Sequence, residues 1–575
     1  MSTTIGQFDD YRAELDATGA LGSERLLYRV TVGWRDSQGI VDFNYAKDFA
    51  PTVQLQWQAT DATSIRFIGE YVEHEGNPLS QDAFFIDGDF IDAPKSNYYG
   101  FLTDYEEKES TGVQLHVDHQ FSDALKLRAQ AGWKDGGRDA GNSGYVAALP
   151  FPIPGFNDPA SGLLFRSAFD QRREAESEYA ALHLAWDVEL GGTTHALVAG
   201  VNYSQSEITN IGFFNTPLLA LPAVFAGDVS ALASIPPSVN IFDPQTVAYD
   251  HFTNFNDSPP FGRDIWQYDN LGLNLQDAID IPALNLHILL GLRYAESGAE
   301  TIESVTDTGA PGTGFGPDTE ESAWIPRVGV VYDLTDSHSI YASYGESFLP
   351  PFTNSRDRNG NPITDAEVGE QVEIGYRGEF FDGGLSATVA VFDLSKQNVI
   401  VPTGTPDVAD LAGEQRSRGL EVDVTGRVTD YWDLFLSYAY VDTEVIDAGT
   451  ADQTAGQRFP GTPLHKAVLW NNLSLDWAGL RGVSVGYGID YMSESDADGL
   501  VNPLTLTFGP QETPAQGVVH NANITYERET DFGTFNAVLG INNLTDREYV
   551  LNTANLLFAR RGERRTVMLT TTLTF

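Results

Sequence analysis

Histidine, serine and acidic side chains are the residues of this sequence that could do catalytic or metal chemistry, and their spacing favours neither. The ten histidines are scattered, and none stands in the His-Glu-x-x-His spacing that turns two ring nitrogens of one helix toward a zinc ion. The sequence contains no Gly-x-Ser-x-Gly segment, the strained turn that exposes a nucleophilic serine. We therefore expect no enzyme activity, no catalytic residue, no metal site and no cofactor.

One segment carries oxygen ligands at alternate positions, as the start of a calcium-binding loop does. Asp357, Asn359 and Asn361 supply these oxygens. Such a loop needs a glycine at its sharp turn and a bidentate glutamate at its end. Here Pro362 stands at the glycine position and the distal glutamate is out of place. The sequence therefore disfavours a calcium site in this segment.

Acidic residues dominate the charge of the chain. There are 81 Asp and Glu against 34 Lys and Arg, which gives a formal net charge of −47. A nucleic-acid partner is excluded, because a phosphate backbone requires a basic face. The stretches 82–92, 104–109, 301–321 and 441–452 are dense in acid. We interpret this acidity as a means of keeping the surface hydrated; the alternative is that these loops bind divalent cations.

The composition indicates a folded chain rich in short strands. The 575 residues are 42% hydrophobic and 11% aromatic, which argues against disorder despite the charge. Cysteine is absent, so disulfides and thiolate metal sites are not available. No apolar run approaches the roughly 18 residues of a membrane-spanning helix. The first residues show neither the basic nor the apolar region of a signal peptide.

Residues 564–575 show the pattern that recurs along the chain. Val567, Leu569 and Leu573 alternate with hydroxylic residues such as Thr570 and Thr572, which is typical of a strand with one apolar face and one polar face. The same alternation at 182–190, 420–424 and 483–491 indicates further strands of this kind. Alternation alone fits a soluble sandwich as well, because its inner face would be the apolar one.

Connection lengths separate a sandwich from a membrane barrel. Pairs of strand-like runs enclose turns of a few residues, for example at 19–22, 60–63 and 191–192, and long polar stretches such as 71–110, 134–178 and 204–263 separate the pairs. Short turns on one side and long loops on the other are typical of outer-membrane barrels. We therefore predict an all-β fold: a transmembrane antiparallel β-barrel of about 22 strands, with short periplasmic turns and long extracellular loops.

Several segments spread over nearly the whole chain carry a family resemblance. They are Asp16-Ala17-Thr18-Gly19-Ala20-Leu21, Tyr341-Ala342-Ser343-Tyr344-Gly345-Glu346-Ser347-Phe348-Leu349-Pro350-Pro351, Glu370-Gln371-Val372-Glu373-Ile374-Gly375-Tyr376, Glu414-Gln415-Arg416-Ser417-Arg418-Gly419-Leu420-Glu421, and Gly540-Ile541-Asn542-Asn543-Leu544-Thr545-Asp546-Arg547-Glu548-Tyr549. In this order, and with a terminal strand ending on Phe575, they resemble the TonB-dependent siderophore receptors of Gram-negative outer membranes. Their roles in turns and strand ends are structural, so they indicate the fold and not the binding site.

The resemblance implies transport of ferric siderophores across the outer membrane. Its partners would be a ferric siderophore, outer-membrane lipid and, in a form with a plug domain, the TonB complex; the barrel would be a monomer. Family members carry a signal peptide, a TonB box and a plug before the barrel. This sequence starts where the first barrel strand is expected, so we interpret residues 1–575 as a barrel domain alone. Without a plug, a passive porin-like channel is the alternative, and an adhesion surface made of the long loops is a third hypothesis.

The resemblance also implies aromatic ligand contacts near the extracellular mouth. By position relative to the strands, Tyr98, Tyr99, Tyr105 and Phe558 best match the family's aromatic contacts. Aromatic rings suit a rigid chelate, because they give a large contact area at low entropic cost. The competing interpretation is that each ring packs within a loop or anchors the membrane interface.

Overall fold

The computed structural model of the chain is built almost entirely of β-strands. It describes residues 1–77, 83–86, 89–147, 161–215, 238–244, 247–248, 262–306, 318–350, 356–357, 359–361, 363–402, 409–447, 455–502, 507–513, 516–551 and 559–575. Among these residues, no helix is long and apolar enough to cross a membrane. Single turns of 3-10 helix lie at Pro282–Leu284 and Asp476–Ala478.

Within the described ranges, 22 antiparallel strands form one barrel, in which each strand pairs with the next along the chain. The first half comprises β1 Ser2–Gly6, β2 Asp10–Ser23, β3 Leu26–Gln38, β4 Tyr45–Thr60, β5 Thr63–Gly76, β6 Tyr105–Gln120, β7 Leu125–Ala147, β8 Leu163–Leu190, β9 Thr193–Asn215, β10 Gly262–Ile281 and β11 Leu286–Thr306. The second half comprises β12 Thr319–Thr335, β13 His338–Leu349, β14 Glu367–Phe380, β15 Leu385–Pro402, β16 Ala409–Thr429, β17 Trp432–Asp447, β18 His465–Ser474, β19 Val483–Met492, β20 Gly517–Thr530, β21 Gly533–Asn542 and β22 Thr566–Thr574. This architecture confirms the predicted strand number.

The barrel closes between its first and last strands. β1 pairs with β2 on one side and with β22 on the other. The Oγ1 atoms of Thr3 and Thr571 lie 2.8 Å apart, and those of Thr4 and Thr570 lie 2.9 Å apart. Because successive residues of a strand point to opposite faces, one hydroxyl pair lies on each face of the seam. The seam thus joins the two edges that an open sheet would expose.

The apolar side chains lie on the outer face of the wall. In β8, Leu182, Leu184 and Trp186 are exposed, and the intervening His183 and Ala185 face the interior. Their paired neighbours on the adjacent strands continue the same outer face, because directly paired residues share a face. The alternation predicted from the sequence is therefore confirmed, with the apolar set facing outward.

Short turns lie at one end of the barrel and long connections at the other. The predicted turn at Gly191 and Gly192 is confirmed, with φ angles of 59° and 89°, the left-handed values that a two-residue hairpin turn requires. The predicted turn at 19–22 is wrong: β2 continues to Ser23 and the chain turns at Glu24 and Arg25. A register shift between Ala20 and Ser23 lets β2 pass through these glycines.

Several strands extend far beyond the length that a bilayer requires. β7, β8 and β9 contain 23, 28 and 23 residues, whereas about 10 tilted residues cross a membrane. The predicted loops at 134–178 and 204–263 were therefore too long, because 134–147, 163–178 and 204–215 are strand. The acidic stretch 104–109 likewise lies mostly on β6.

Candidate functional site

Connecting segments at the long-loop end of the barrel share a buried apolar cluster. Its members come from the connection between β5 and β6, from the start of β8, and from the segment 238–244; they are Phe84, Ala93, Tyr99, Leu164, Val239 and Ile241. Val239–Asn240 also pairs with the first residues of β8. These segments are thus packed against one another, and we call this assembly the loop core.

The carboxylate of Asp104 holds the loop core to the barrel wall. Its Oδ2 atom accepts hydrogen bonds from the Tyr98 hydroxyl at 2.9 Å, from the Phe101 amide at 3.0 Å and from the Ser143 hydroxyl at 2.9 Å. Its Oδ1 atom accepts the Ser143 amide at 3.1 Å. Asp104 is buried, so the loss of these bonds would leave several donors unsatisfied in a dry environment.

Arg166 lies buried beside this carboxylate. Its Nη1 atom donates to the carbonyls of Tyr99 and Gly100, at 3.1 and 2.9 Å, and its guanidinium lies over the Phe101 ring at 4.0 Å from the centroid. Burial lowers the pKa of Arg166 to about 10, partly opposed by the charge of Asp104. A cation over an aromatic ring is favourable when it is desolvated, so Arg166 fixes the backbone that follows Tyr98.

A second buried cluster links the connection between β5 and β6 to connections on the other side of the β1–β22 seam. Ala83, Ala497, Val550 and Ala559 form a buried cluster, and the Ala83 amide donates to the Ala559 carbonyl at 3.3 Å. Lys95 pairs with Glu548 at 3.1 Å. Segments that leave the barrel after β5, β19 and β21 therefore meet at the long-loop end.

Two of the predicted ligand residues are buried in the connection between β5 and β6, and Tyr99 is a member of the loop core. Tyr98 and Tyr99 are each 2% exposed. Burial, with a smaller contribution from Asp104, raises the pKa of Tyr98. The Tyr99 hydroxyl donates to the Ile241 carbonyl at 3.0 Å. Both rings thus pack within the loop in this conformation, and their contact with a ligand stays a prediction. Phe558 lies outside the described residues.

Tyr105 is directed to the outer face of the barrel. Its register on β6 is in phase with the outward-facing Val113 and Leu115. Its hydroxyl donates to Asp139 Oδ1 at 2.8 Å, and Arg172 donates to the other oxygen of the same carboxylate. Tyr105 thus has different hydrogen-bond partners from Tyr98 and Tyr99, and its contact with a ligand also stays a prediction.

The interior wall carries a feature that the sequence analysis did not identify. Direct strand pairing aligns one inward-facing residue from each of eight consecutive strands, β2 to β9: Arg12, Arg35, Asp48, His74, Lys108, Arg138, Arg173 and Asn210. We call this alignment the basic row. Five of its eight members are Arg or Lys, in a chain with a net charge of −47.

Ion pairs connect the basic row to carboxylates of the same wall. Arg12 pairs with Asp10 at 2.7 Å, and Arg138 pairs with Glu106 at 2.6 Å. His74 Nδ1 lies 2.6 Å from Asp48 Oδ1. The Asp10 and Glu106 side chains are only 14% and 12% exposed. The wall therefore holds the cations in place through carboxylates that lie beneath them.

Outside the basic row, possible metal ligands in the described ranges do not cluster. Among the described residues, no group of three or more His, Asp or Glu could hold a metal ion. In the calcium-like segment, Asp357 Oδ1 accepts the amides of Asn359 and Asn361, at 2.8 and 2.7 Å. Hydrogen bonds from Asn361 and Asn359 lower the pKa of this carboxyl, so the loop's own amides occupy the oxygens that a cation would need.

Curated relatives match this chain along nearly its full length. The metal-pseudopaline receptor CntO of Pseudomonas aeruginosa is 26% identical over 586 residues, covering 100% of this chain and 75% of that protein. The ferric-pyoverdine 358 receptor of Pseudomonas putida is 24% identical over 575 residues, covering 95% of this chain and 62% of that protein. Each relative is thus longer than the present chain.

Solved structures show the same fold. The siderophore receptor PiuA from Acinetobacter baumannii superposes with a TM-score of 0.81 at 19% identity, covering 100% of this chain and 81% of that chain. The closed form of the ferric-catecholate import receptor Fiu from K12 E. coli gives a TM-score of 0.82 at 19% identity, with the same coverage. A family model described as "TonB dependent receptor-like, beta-barrel" matches residues 56–544. Both the fold and the family match are those of Gram-negative outer-membrane receptors. This chain belongs to the TonB-dependent receptor β-barrel family.

Proposed function

We propose that this chain forms the barrel of an outer-membrane receptor that takes up a metal chelate, most specifically a ferric siderophore. The observation that carries the proposal is similarity over at least 95% of the chain to receptors named for metal-pseudopaline and for ferric pyoverdine. Uptake against a gradient would require a plug and a TonB box, which couple such a barrel to the TonB complex.

The packing at the extracellular end supports a receptor over a passive channel. A porin needs a lumen that is open to water along its whole length. Here the loop core and the junction around Ala83 bring together segments that leave the wall at widely separated strands. Such packing provides a structured extracellular surface, which is what recognition of a chelate requires.

Growth on chelated iron tests the proposal. The chain would be fused behind a plug and TonB box of the family and expressed in cells that lack their own siderophore receptors. Under iron limitation, we expect growth to be rescued by at least one chelate of a panel that contains ferric pyoverdine and metal-pseudopaline, and not by ferric chloride. Absence of rescue by every chelate, with the barrel folded in the membrane, would remove the receptor assignment.

A further inference from the structure

The basic row sets the charge of the inner wall apart from that of the rest of the chain. The row contains five Arg and Lys residues and one Asp. When the adjacent Asp10 and Glu106 are counted as well, positive charges still outnumber negative ones. Neighbouring strands lie about 4.8 Å apart, so a row across eight strands extends about 34 Å along the wall. The row is thus a continuous track and not a single ion pair.

The cations of this track are more accessible than the carboxylates that hold them. Lys108 is 47% exposed, whereas its partner Glu106 is 12% exposed, and they lie 3.0 Å apart. Arg12 is 42% exposed, against 14% for Asp10. Arg173 is exposed and has no carboxylate partner among the described residues. An object in the lumen therefore meets guanidinium and ammonium groups first.

The outer face of the same strands has the opposite character. Glu107 and Glu109 of β6 and Glu174 of β8 are exposed on it, one residue away in sequence from the inward-facing Lys108 and Arg173. The alternation of the strands thus sorts charge between the two faces of one wall. A general excess of basic residues in this region cannot explain the row, because acidic residues prevail on the outside.

From this sorting we propose that the basic row is an anion-recognition surface, and that the metal chelate carried by this barrel is anionic. The inference rests on the proposed function and names the charge class of its cargo. Arginine and lysine donate charge-assisted hydrogen bonds to carboxylate and phenolate oxygens, and such bonds are stronger in a lumen that is partly shielded from bulk water. The recessed carboxylates keep the cations extended toward the lumen.

Citrate, a small anion with three carboxylates, provides a direct probe. The refolded full chain in detergent would be titrated with citrate by calorimetry at low ionic strength. We expect saturable binding that weakens with added salt, because screening reduces attraction between exposed charges. The double variant Lys108→Gln/Arg173→Gln should weaken citrate binding about tenfold or more, as expected for the loss of two charge-assisted contacts.

A matched control is one residue away. Arg172 lies on the outer face beside Asp139, so Arg172→Gln removes the same charge from the opposite side of the wall and should leave citrate affinity within about twofold. Arg173→Lys keeps the lumenal charge and should bind citrate as the wild type does. This variant shows whether loss of the charge, and not loss of the native arginine side chain, weakens binding. Absence of citrate binding, or equal weakening by Arg172→Gln and by Lys108→Gln/Arg173→Gln, would overturn the proposal.

The two proposals can fail separately. If citrate binds at the row but no metal chelate supports growth, the receptor assignment fails and the anion surface remains. If chelates support growth, and Lys108→Gln/Arg173→Gln leaves uptake of an anionic chelate unchanged, the anion proposal fails and the receptor assignment remains.

Discussion

The hydroxyl of Tyr98 donates to the carboxylate of Asp104 across 2.9 Å, and both side chains are buried. This contact places an aromatic side chain that the family resemblance predicts as a ligand contact within a folded core. Asp104 bonds at the same time to Ser143 of β7. The loop between β5 and β6 is therefore anchored to the barrel wall.

Removing this anchor should loosen the loop and spare the barrel. Asp104→Ala leaves the Tyr98 hydroxyl and the Ser143 donors without their acceptor, and each unsatisfied buried group costs about 1–3 kcal/mol. We expect trypsin to cleave after Lys95 at least about tenfold faster in the variant. Heat-modifiable migration in gels should persist, because the strands of the wall keep their pairing.

An exposed aspartate serves as the control for that variant. Asp61 lies in a periplasmic turn and its side chain is 94% exposed in a surface pair with Arg25, an interaction of small energy. Asp61→Ala should leave the rate of cleavage after Lys95 unchanged. Equal rates in wild type and Asp104→Ala would show that the carboxylate does not hold the loop.

Two glycines on the inner wall should respond differently to the same substitution. A Cβ atom at Gly488 would overlap the indole of Trp470, which packs across it, whereas a Cβ at Gly540 would meet nothing within 4 Å. Gly488→Ala should lower the unfolding free energy by about 1–3 kcal/mol, the usual range for overpacking. Gly540→Ala should be close to neutral. Urea unfolding followed by tryptophan fluorescence measures both, and equal midpoints would contradict the described packing.

The contacts that Asp546 makes with Arg564 and Arg565, between β21 and β22, should be lost in acid. Hydrogen bonds from the Arg564 side chain and the Arg565 amide lower the pKa of Asp546 from 3.8 to about 2. Because the folded state holds this carboxyl ionised, its contribution to stability is present above pH 3.8 and is lost as the pH falls through about 2.

Hydrogen exchange can follow this transition. The Arg565 amide donates to Asp546 Oδ1 at 3.1 Å, so its protection, corrected for the intrinsic rate, should fall over that pH range in the wild type. In Asp546→Asn the protection should not change with pH over the same range. A pH dependence that survives in the Asn variant would assign the transition to another group.

Tyr105 is the predicted ligand residue for which sequence and structure give opposite expectations. Since its ring lies on the outer face, we expect Tyr105→Ala to leave the affinity for a transported chelate within about twofold. Tyr203→Ala is a matched control, because Tyr203 is an exposed tyrosine that also donates to an aspartate, Asp269, at 2.8 Å. A loss of about tenfold in Tyr105→Ala alone would support the sequence-based prediction instead.

The membrane-spanning part of the fold could be predicted from the sequence, and its extensions could not. Alternation at 182–190 marks a strand because one face meets lipid and must be apolar. In 170–178 the strand continues beyond the lipid-facing band, and its outward-facing Arg172 and Glu174 carry no apolar signal. Strand ends in this region depend on pairing with β7 and β9, which is tertiary information.

The candidate functional site could be predicted from the sequence only in part, for the same reason. Arg12 and Arg173 are separated by 161 positions, and only the strand registers show that they belong to one row. Tyr98 is buried with its hydroxyl bonded to Asp104, and the neighbouring Tyr99 is buried with its hydroxyl bonded to the distant Ile241 carbonyl. The family resemblance pointed to Tyr98 by its position relative to the strands. It could not show that the tyrosine hydroxyl bonds within the loop.

Accumulation of a chelate by energised cells tests the receptor assignment most directly. The chain, fused behind a plug and TonB box, would be supplied with a radiolabelled metal chelate that supports growth, with and without a protonophore that collapses the gradient driving TonB. We expect the internal label to exceed the external concentration and the protonophore to abolish this excess. Equilibration to the external concentration, unaffected by the protonophore, would contradict the receptor assignment and identify a passive channel.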